Sequence, residues 1–394
     1  MKKYTIHLLG LVHLPTSEKY LACAFTQKNR KLAKMLTDAG HDVIFYGAEG
    51  SDVLEYAGHG KGTITFVQTH TLADIRRDYG DGDNRFEIGY DWKSSEFRHD
   101  FNGDKKSSTL KYYEVATREI MARKKPDHFI YVTQGFYQKP ITDAVGLYLT
   151  VEGGIGYRGS FARWRAFESS YIQNFTYGSQ NPFKSINGSH YDRVIPNYFS
   201  PEDIEYSDQK DDYYLYVGRI ILRKGILTAY KVAQHLGKKL IIAGQGGKVI
   251  NGELVADDVT VPRGNWEYVG YADREKRKSL MAHAKLSFAP TEYLEPFAGT
   301  HIEAMLSGTP VLTTDFGVFP QTVINGVNGY RCNTLRDFVD NAIKAETLKP
   351  EDIRASAEQY LAENVAKLYC KWFDDLYAVW ESTQDDKVLG WNRL

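Results

Sequence analysis

The chain has 394 residues, of which 42% are apolar and 25% charged, and its 49 Lys and Arg nearly balance 50 Asp and Glu. That length exceeds one ordinary core and predicts two domains of roughly 150–200 residues each, while the absence of inflated Gly or Pro and of low-complexity blocks excludes disordered and fibrous classes. The balanced charge removes the field on which non-specific nucleic-acid binders depend, so nucleic acid is not an expected partner.

The chain begins with Lys2-Lys3 and the apolar run Ile6–Leu14, which has the outline of a signal peptide. His7 and His13 interrupt the run and no small-residue cleavage pattern follows, so a buried first strand is predicted instead. No stretch approaches the ~20 apolar residues of a membrane span. Cys23, Cys332 and Cys370 stand far apart with no zinc spacing, which predicts neither disulfide framework nor structural metal. A cytoplasmic protein is expected, with peripheral membrane contact left open.

YTIHLLGLV reads as the first strand, Ala24–Ala39 as a helix with Phe25, Leu32, Ala33 and Leu36 on one face, Gly40 as its stop, and HDVIFYG as the second strand. This βαβ unit favours a parallel sheet. Residues 74–108 are polar and predict an excursion from the sheet. A helix over Leu110–Arg123 follows, then strands at HFIYVTQG, near VGLYLTVE and at RVIPNYFS. After a Pro-, Ser- and acid-rich linker the alternation resumes: DDYYLYVGRI (strand), Gly225–Leu236 (helix), KLIIAGQG and WEYVGY (strands), Arg274–His283 (helix), LSFAPT (strand), Gly299–Ser307 (helix) and TPVLTTD (strand). From Glu351 the chain reads as helical, and Trp372, Phe373, Tyr377 and Trp380 form a stripe expected to pack. The expected class is α/β, two doubly wound domains facing each other across a cleft: residues 1–199, a linker 200–212, a second domain 213–372 and a helical tail 373–394.

The chemistry concentrates in EPFAGTHIEAMLSGTPVLTTDFGVFPQTVINGVNGY, residues 295–330. A strand ends in a loop holding Glu295 and Pro296, and a helix starts around Ala298–Gly299–Thr300, where free backbone N–H groups make an anion site suited to a diphosphate. Glu303 lies one turn into that helix. Two acceptor-only carboxylates beside an anion site predict a ligand with phosphate at its middle and hydroxylated rings at both ends. In YVGRIILRKGI, Arg219 ends a strand and Lys224 follows five residues on, two cations placed to clamp a diphosphate leaving group.

Glu295 and Glu303 resemble the Glu-x7-Glu motif of retaining GT-B glycosyltransferases (the group 1 transferases). AMLSGTPVLTTDFG, VGRIILRKG, IIAGQGG and YVGY are similar to that family's neighbouring segments, over residues 213–331. The resemblance implies the GT-B fold, with two facing Rossmann-like domains, the nucleotide-sugar in the C-terminal domain and the acceptor on the N-terminal one. It implies Glu303 on the ribose, Glu295 on the donor sugar, Arg219 and Lys224 on the diphosphate with the Phe297–Ala298 turn and the Gly299 and Thr300 amides, and Tyr271 against the base. TVEGGIGYRG lies where the family carries Thr-Val-His, so Glu152 takes the histidine's place as a candidate catalytic group, and His13 is a candidate contact to donor or acceptor. Departures are Ala298 for the family's Gly, Gln321 for its later Glu, and a first loop without paired glycines. Asp81-Gly82-Asp83 imitates the metal motif of another transferase fold but lacks its strand, so no metal is expected.

Each feature also has a plainer reading. Glu295 and Glu303 suit a helix start, Glu152 a strand end, and Arg158, Arg163 and Arg165 a solvated face with snorkelling stems, while His301 is expected to point away from the donor. The expected function is metal-independent transfer with retention from a UDP- or GDP-sugar, without a resident cofactor, to an unidentified acceptor. A nucleotide-sugar 2-epimerase and a non-catalytic nucleotide-sugar-binding protein are the alternatives.

Overall fold

The computed structural model describes residues 2–20, 23–79, 106–180 and 188–384. Asp81–Gly82–Asp83 and most of the polar excursion lie outside them. The described residues form two compact units: one takes those up to Asn197 together with those from Ala362 onward, and the other is Tyr198–Leu361.

The first unit carries β1 (Thr5–Leu9), α1 (Ala24–Asp38), β2 (Asp42–Ala48), α2 (Val53–Ala57), β3 (Ile64–His70), α3 (Leu72–Tyr79), α4 (Ser107–Arg123), β4 (Phe129–Val132), α5 (Lys139–Val145), β5 (Thr150–Ile155), β6 (Trp164–Phe167), α6 (Ser170–Gln180) and β7 (Arg193–Val194). Its sheet runs β3-β2-β1-β4-β5-β6-β7, and every pairing is parallel. Strands covered on both faces need near-continuous apolar runs, and β4 (FIYV) is buried throughout. The exception in β1, His7, is buried and satisfied by the Tyr46 hydroxyl at 2.8 Å and His128 at 3.1 Å.

A C-terminal helix, Ala362–Thr383, completes this unit rather than the second one. Trp372 donates its indole N–H to Tyr191 O at 2.8 Å, Phe373 packs 5.1 Å from Phe129 between ring centres, and the Tyr4 hydroxyl reaches Asp374 at 2.5 Å. The aromatic stripe is therefore packing, as expected, but the boundary drawn at 372 divides a single helix.

The second unit carries β8 (Tyr213–Val217), α7 (Ile226–His235), β9 (Lys239–Ala243), β10 (Lys248–Ile250), β11 (Glu253–Val255), β12 (Thr260–Val261), β13 (Trp266–Tyr268), α8 (Arg274–His283), β14 (Leu286–Ala289), α9 (Gly299–Leu306), β15 (Val311–Thr314), α10 (Phe319–Thr322), β16 (Gly329–Cys332), α11 (Leu335–Ala345) and α12 (Pro350–Ala357). Its main sheet runs β13-β9-β8-β14-β15-β16, all parallel, while β10-β11-β12 form a small antiparallel sheet. Leu254 and Val261 of that small sheet are buried in the same core as Ile220 and Ile226. The stretch 200–212, read as a linker, packs within this unit: Lys210 Nζ donates to Ala282 O at 2.6 Å and to the Thr309 hydroxyl at 2.9 Å. No described helix is long and apolar enough to cross a membrane, and the three cysteines are free and buried.

Candidate active site

The order of the second sheet reverses between β8 and β14. Loops leaving two such strands diverge in opposite directions and open a crevice at the C-terminal edge of the sheet. The sequence places its charged residues on those two loops. Arg219 and Lys224 follow β8, and Glu295 follows β14 and leads into α9.

The structure brings them together. Lys224 Nζ lies 2.6 Å from Glu295 Oε2, and both side chains are mostly buried. The two loops are tied by Glu292 N–H donating to Arg223 O at 2.9 Å. Tyr293 stands beside them, its ring 5.0 Å from Lys224 Nζ and 5.4 Å from the Arg223 guanidinium. Burial, then the nearby Glu295 carboxylate, raise its phenol well above the usual range. Arg219 shares the field of Tyr293, Arg223 and Glu295, and burial lowers its guanidinium from the ordinary value.

The floor beside Arg219 is main chain. Gly244 holds φ +154°, and a Cβ there would meet Gly218 O at 1.7 Å. Its N–H donates to Gly270 O at 2.8 Å, which brings the ends of β8, β9 and β13 together. Tyr271 follows directly and lies in the field of Arg277 and Glu303.

Helix α9 opens on Ala298 in the left-handed region (φ 59°, ψ 71°), where a side chain is strained and Gly is at ease. Ala298 has no side-chain cap to offer, so the Gly299 and Thr300 amides of the first turn receive none from it. Glu303, one turn on, is buried with Oε1 3.5 Å from Arg277 Nη2. Its Oε2 is buried with no hydrogen-bond partner among the described residues, an acceptor available to a ligand hydroxyl. His301 points elsewhere: Nδ1 donates to Ala298 O, and Nε2 accepts from the Thr322 hydroxyl at 2.8 Å. Phe297, expected on the donor, has its side chain in the core, stacked on Phe199 and edge-on to Tyr360. Its backbone remains in the turn.

The other candidates belong to the first unit. His13 is buried after β1, with Gln134 Nε2 3.4 Å from its Nδ1, at the point where that sheet reverses between β1 and β4. Glu152 is fully buried in β5 and accepts from the Tyr157 hydroxyl at 2.9 Å, Phe161 N–H at 2.8 Å and Ala162 N–H at 3.0 Å. Its carboxylate anchors the turn after β5. A Cβ on Gly153 would meet the Tyr131 hydroxyl at 1.8 Å, so that glycine admits a neighbouring side chain of its own unit. Arg165 forms a buried pair with Asp192 at 3.0 Å, while Arg163 lies over Tyr148 and Trp164. Sequence reasoning missed Tyr293, Arg223 and Arg277. Arg223 adjoins Lys224, but a tyrosine two residues before a motif glutamate carries no periodic signal.

Residues 202–361 match the family model described as "Glycosyl transferases group 1". A glycogen synthase of Mycobacterium tuberculosis is 32% identical over 125 residues, 30% of this chain and 29% of that protein. The chain thus spans under a third of the length of that curated relative. Among solved structures, the sucrose-phosphate synthase of Thermosynechococcus elongatus superposes with a TM-score of 0.64 at 16% identity, covering 95% of this chain and 100% of that one. AviGT4, a glycosyltransferase involved in avilamycin A biosynthesis, gives 0.58 at 17%, covering 95% and 98%. Anabaena HepE in complex with UDP-glucose gives 0.58 at 14%, covering 94% and 99%. These likenesses establish the GT-B fold.

Proposed function

We propose that this chain, which carries a group 1 glycosyltransferase domain over residues 202–361, moves a sugar from a UDP- or GDP-sugar to an acceptor hydroxyl with retention and without a metal. The observation that carries the reading is the convergence of Arg219, Lys224, Glu295 and the uncapped start of α9 at the switch point of the second sheet. HepE, by its description, binds UDP-glucose, which supports a nucleotide-linked donor.

As the glycosidic bond breaks, negative charge grows on the departing diphosphate. Arg219, Lys224 and the Gly299 and Thr300 amides stabilise it with charges already in position. The unpartnered Oε2 of Glu303 accepts a ribose hydroxyl, Tyr271 walls the base, and Glu295 orients the transferred sugar. The acceptor hydroxyl attacks on the face the diphosphate leaves, and its proton passes to the departing phosphate oxygen. In the first unit, His13 is assigned to the donor or acceptor sugar, and Glu152 acts by fixing the turn over residues 157–162. We read the protein as cytoplasmic, which suits three free thiols.

The test is release of nucleoside diphosphate from UDP-, GDP- and ADP-sugars across an acceptor panel, with NMR of the product's anomeric configuration and a parallel reaction in EDTA. Lys224→Ala is expected to lower turnover by about 100-fold, or about 3 kcal/mol of transition-state stabilisation, with the fold intact. Wild-type turnover in that variant rejects the assignment. An epimerised nucleotide-sugar formed without acceptor replaces transfer with isomerisation.

A further inference from the structure

The first unit carries a ledge of aromatic rings that its own core leaves partly uncovered. Its sheet reverses between β1 and β4, and loops diverging from such a point open a crevice at the C-terminal edge. The start of α1 and the segments after β4, β5 and β6 all reach that edge. Phe25 of α1 and Tyr157 after β5 lie 5.8 Å apart between ring centres. A Cβ on Gly135 would meet the Tyr157 ring at 2.9 Å, so Tyr157 also touches the segment of Phe136. Phe136 stacks on Phe161 at 5.8 Å, and its N–H donates to Gly159 O at 2.9 Å, which ties that segment to the Tyr157 loop. The two outer rings stay open to water, Phe25 at 39% exposure and Phe136 at 56%.

A neutralised ion pair closes one end of the ledge. Lys28 Nζ, 5.4 Å from the Phe25 ring centre, binds the Glu168 carboxylate after β6 and donates to Gly154 O at 3.1 Å. At the other end Gln134, next to Gly135, meets His13. Ring faces flanked by a few mostly buried polar groups suit a ligand with one apolar face and a hydroxylated edge. Glu168 repels a phosphate and already neutralises Lys28, so the charge pattern favours an uncharged sugar ring over a phosphorylated one. An alkyl chain would make no use of the ion pair or of His13. On the glycosyltransferase reading, on which this rests, we propose that the acceptor is a neutral glycoside whose ring lies on this ledge, with Phe25 and Phe136 selecting that class.

The experiment measures transfer by the full chain from UDP- and GDP-sugars to methyl glucoside, methyl galactoside, methyl mannoside, glucose 6-phosphate, glycerol and n-octanol. Wild type is compared with Phe25→Ala, Phe136→Ala, Phe136→Leu and Phe136→Tyr, with donor and acceptor KM determined separately. A methyl glycoside is expected to be the preferred acceptor. Phe25→Ala and Phe136→Ala are each expected to raise its KM by about 10-fold, the loss of one ring contact, with the donor KM as internal control. Phe136→Leu keeps apolar bulk without a ring face and is expected to lose as much as Phe136→Ala. Phe136→Tyr keeps the ring and is expected to keep the acceptor KM.

Transfer confined to glucose 6-phosphate, glycerol or octanol, an unchanged acceptor KM in both alanine variants, or a leucine variant as good as wild type overturns the ledge as a glycoside site while leaving the donor site standing. So does a donor that is hydrolysed while no glycoside is taken. Should Phe136→Ala fail to fold, Phe25→Ala and the acceptor preference still decide. A wild type that consumes no nucleotide-sugar with any acceptor refutes the UDP/GDP donor reading itself, and the role of the ledge with it.

Discussion

Acidification should loosen the start of α9 through a single buried imidazole. His301 is 1% exposed, bonded to Ala298 O and Thr322, with its ring edge-on to Phe319. A second proton on Nε2 would force the bond with the Thr322 hydroxyl to reverse and place a charge in an apolar setting, and burial accordingly pushes the His301 pKa down from 6.5 to about 4. Between these values the unfolded chain binds more protons than the folded one, so stability falls as pH drops from about 6.5 to about 4 and changes no further below. At 1.36 kcal/mol per pH unit the full loss is about 3 kcal/mol. For a unit of this size that is a fall of roughly 6–12 °C in midpoint. The assay is thermal or urea unfolding across pH 4–7 for wild type and His301→Asn. The subtraction removes the other buried histidines, among them His7, whose pKa burial also lowers. Parallel stability–pH curves for the two proteins would refute the reasoning.

Three further outcomes follow from the contacts. Glu152→Ala leaves the Tyr157 hydroxyl and two buried amides without their acceptor and should destabilise by about 3–5 kcal/mol in chemical denaturation; a change below about 1 kcal/mol contradicts the anchoring role. Ala298→Gly relieves a left-handed alanine worth roughly 1–2 kcal/mol against an entropic cost of roughly 0.5–1 kcal/mol, so the midpoint should rise slightly, and a fall would show that the turn does not store that strain. Trp372→Phe removes the bond to Tyr191 O and part of a buried ring, for about 2–3 kcal/mol; an unchanged denaturation midpoint would place the C-terminal helix outside the first core.

The strands that carry the site were legible because buried parallel strands are written as solid apolar runs: YYLYV, KLIIA, LSFA and VLTT stand out against their flanks. The α/β class followed from their alternation with helices, and the GT-B fold from the Glu-x7-Glu resemblance. Strands at and next to the sheet edges were harder. β3 is partly exposed, so Ile64–His70 mixes polar and apolar residues, and β6 has four residues with Arg165 among them. The small antiparallel sheet hides in a stretch with an Asn-Gly turn at Asn251–Gly252 and strands of two or three residues. Helix α3 begins just before the segment read as an excursion and runs into it. In the site, charge type and loop position placed Arg219, Lys224, Glu295 and Glu303 at one sheet edge. The mutual pairing of Lys224 with Glu295 depends on rotamers that spacing does not encode. Glu152 was misleading for a related reason, since a carboxylate before two glycines looks the same whether its partners are amides of its own turn or a substrate.

The return of residues 362–383 to the first unit reverses the usual timetable of synthesis. A ribosome working from the N-terminus delivers all of Tyr198–Leu361 before the helix bearing Trp372 and Phe373 emerges. At typical elongation rates the nascent first unit waits on the order of ten seconds with Tyr4 and Phe129 uncovered. The domain begun first is thus the last to be sealed, and in that interval its aromatic face is open to chaperones and to neighbouring nascent chains.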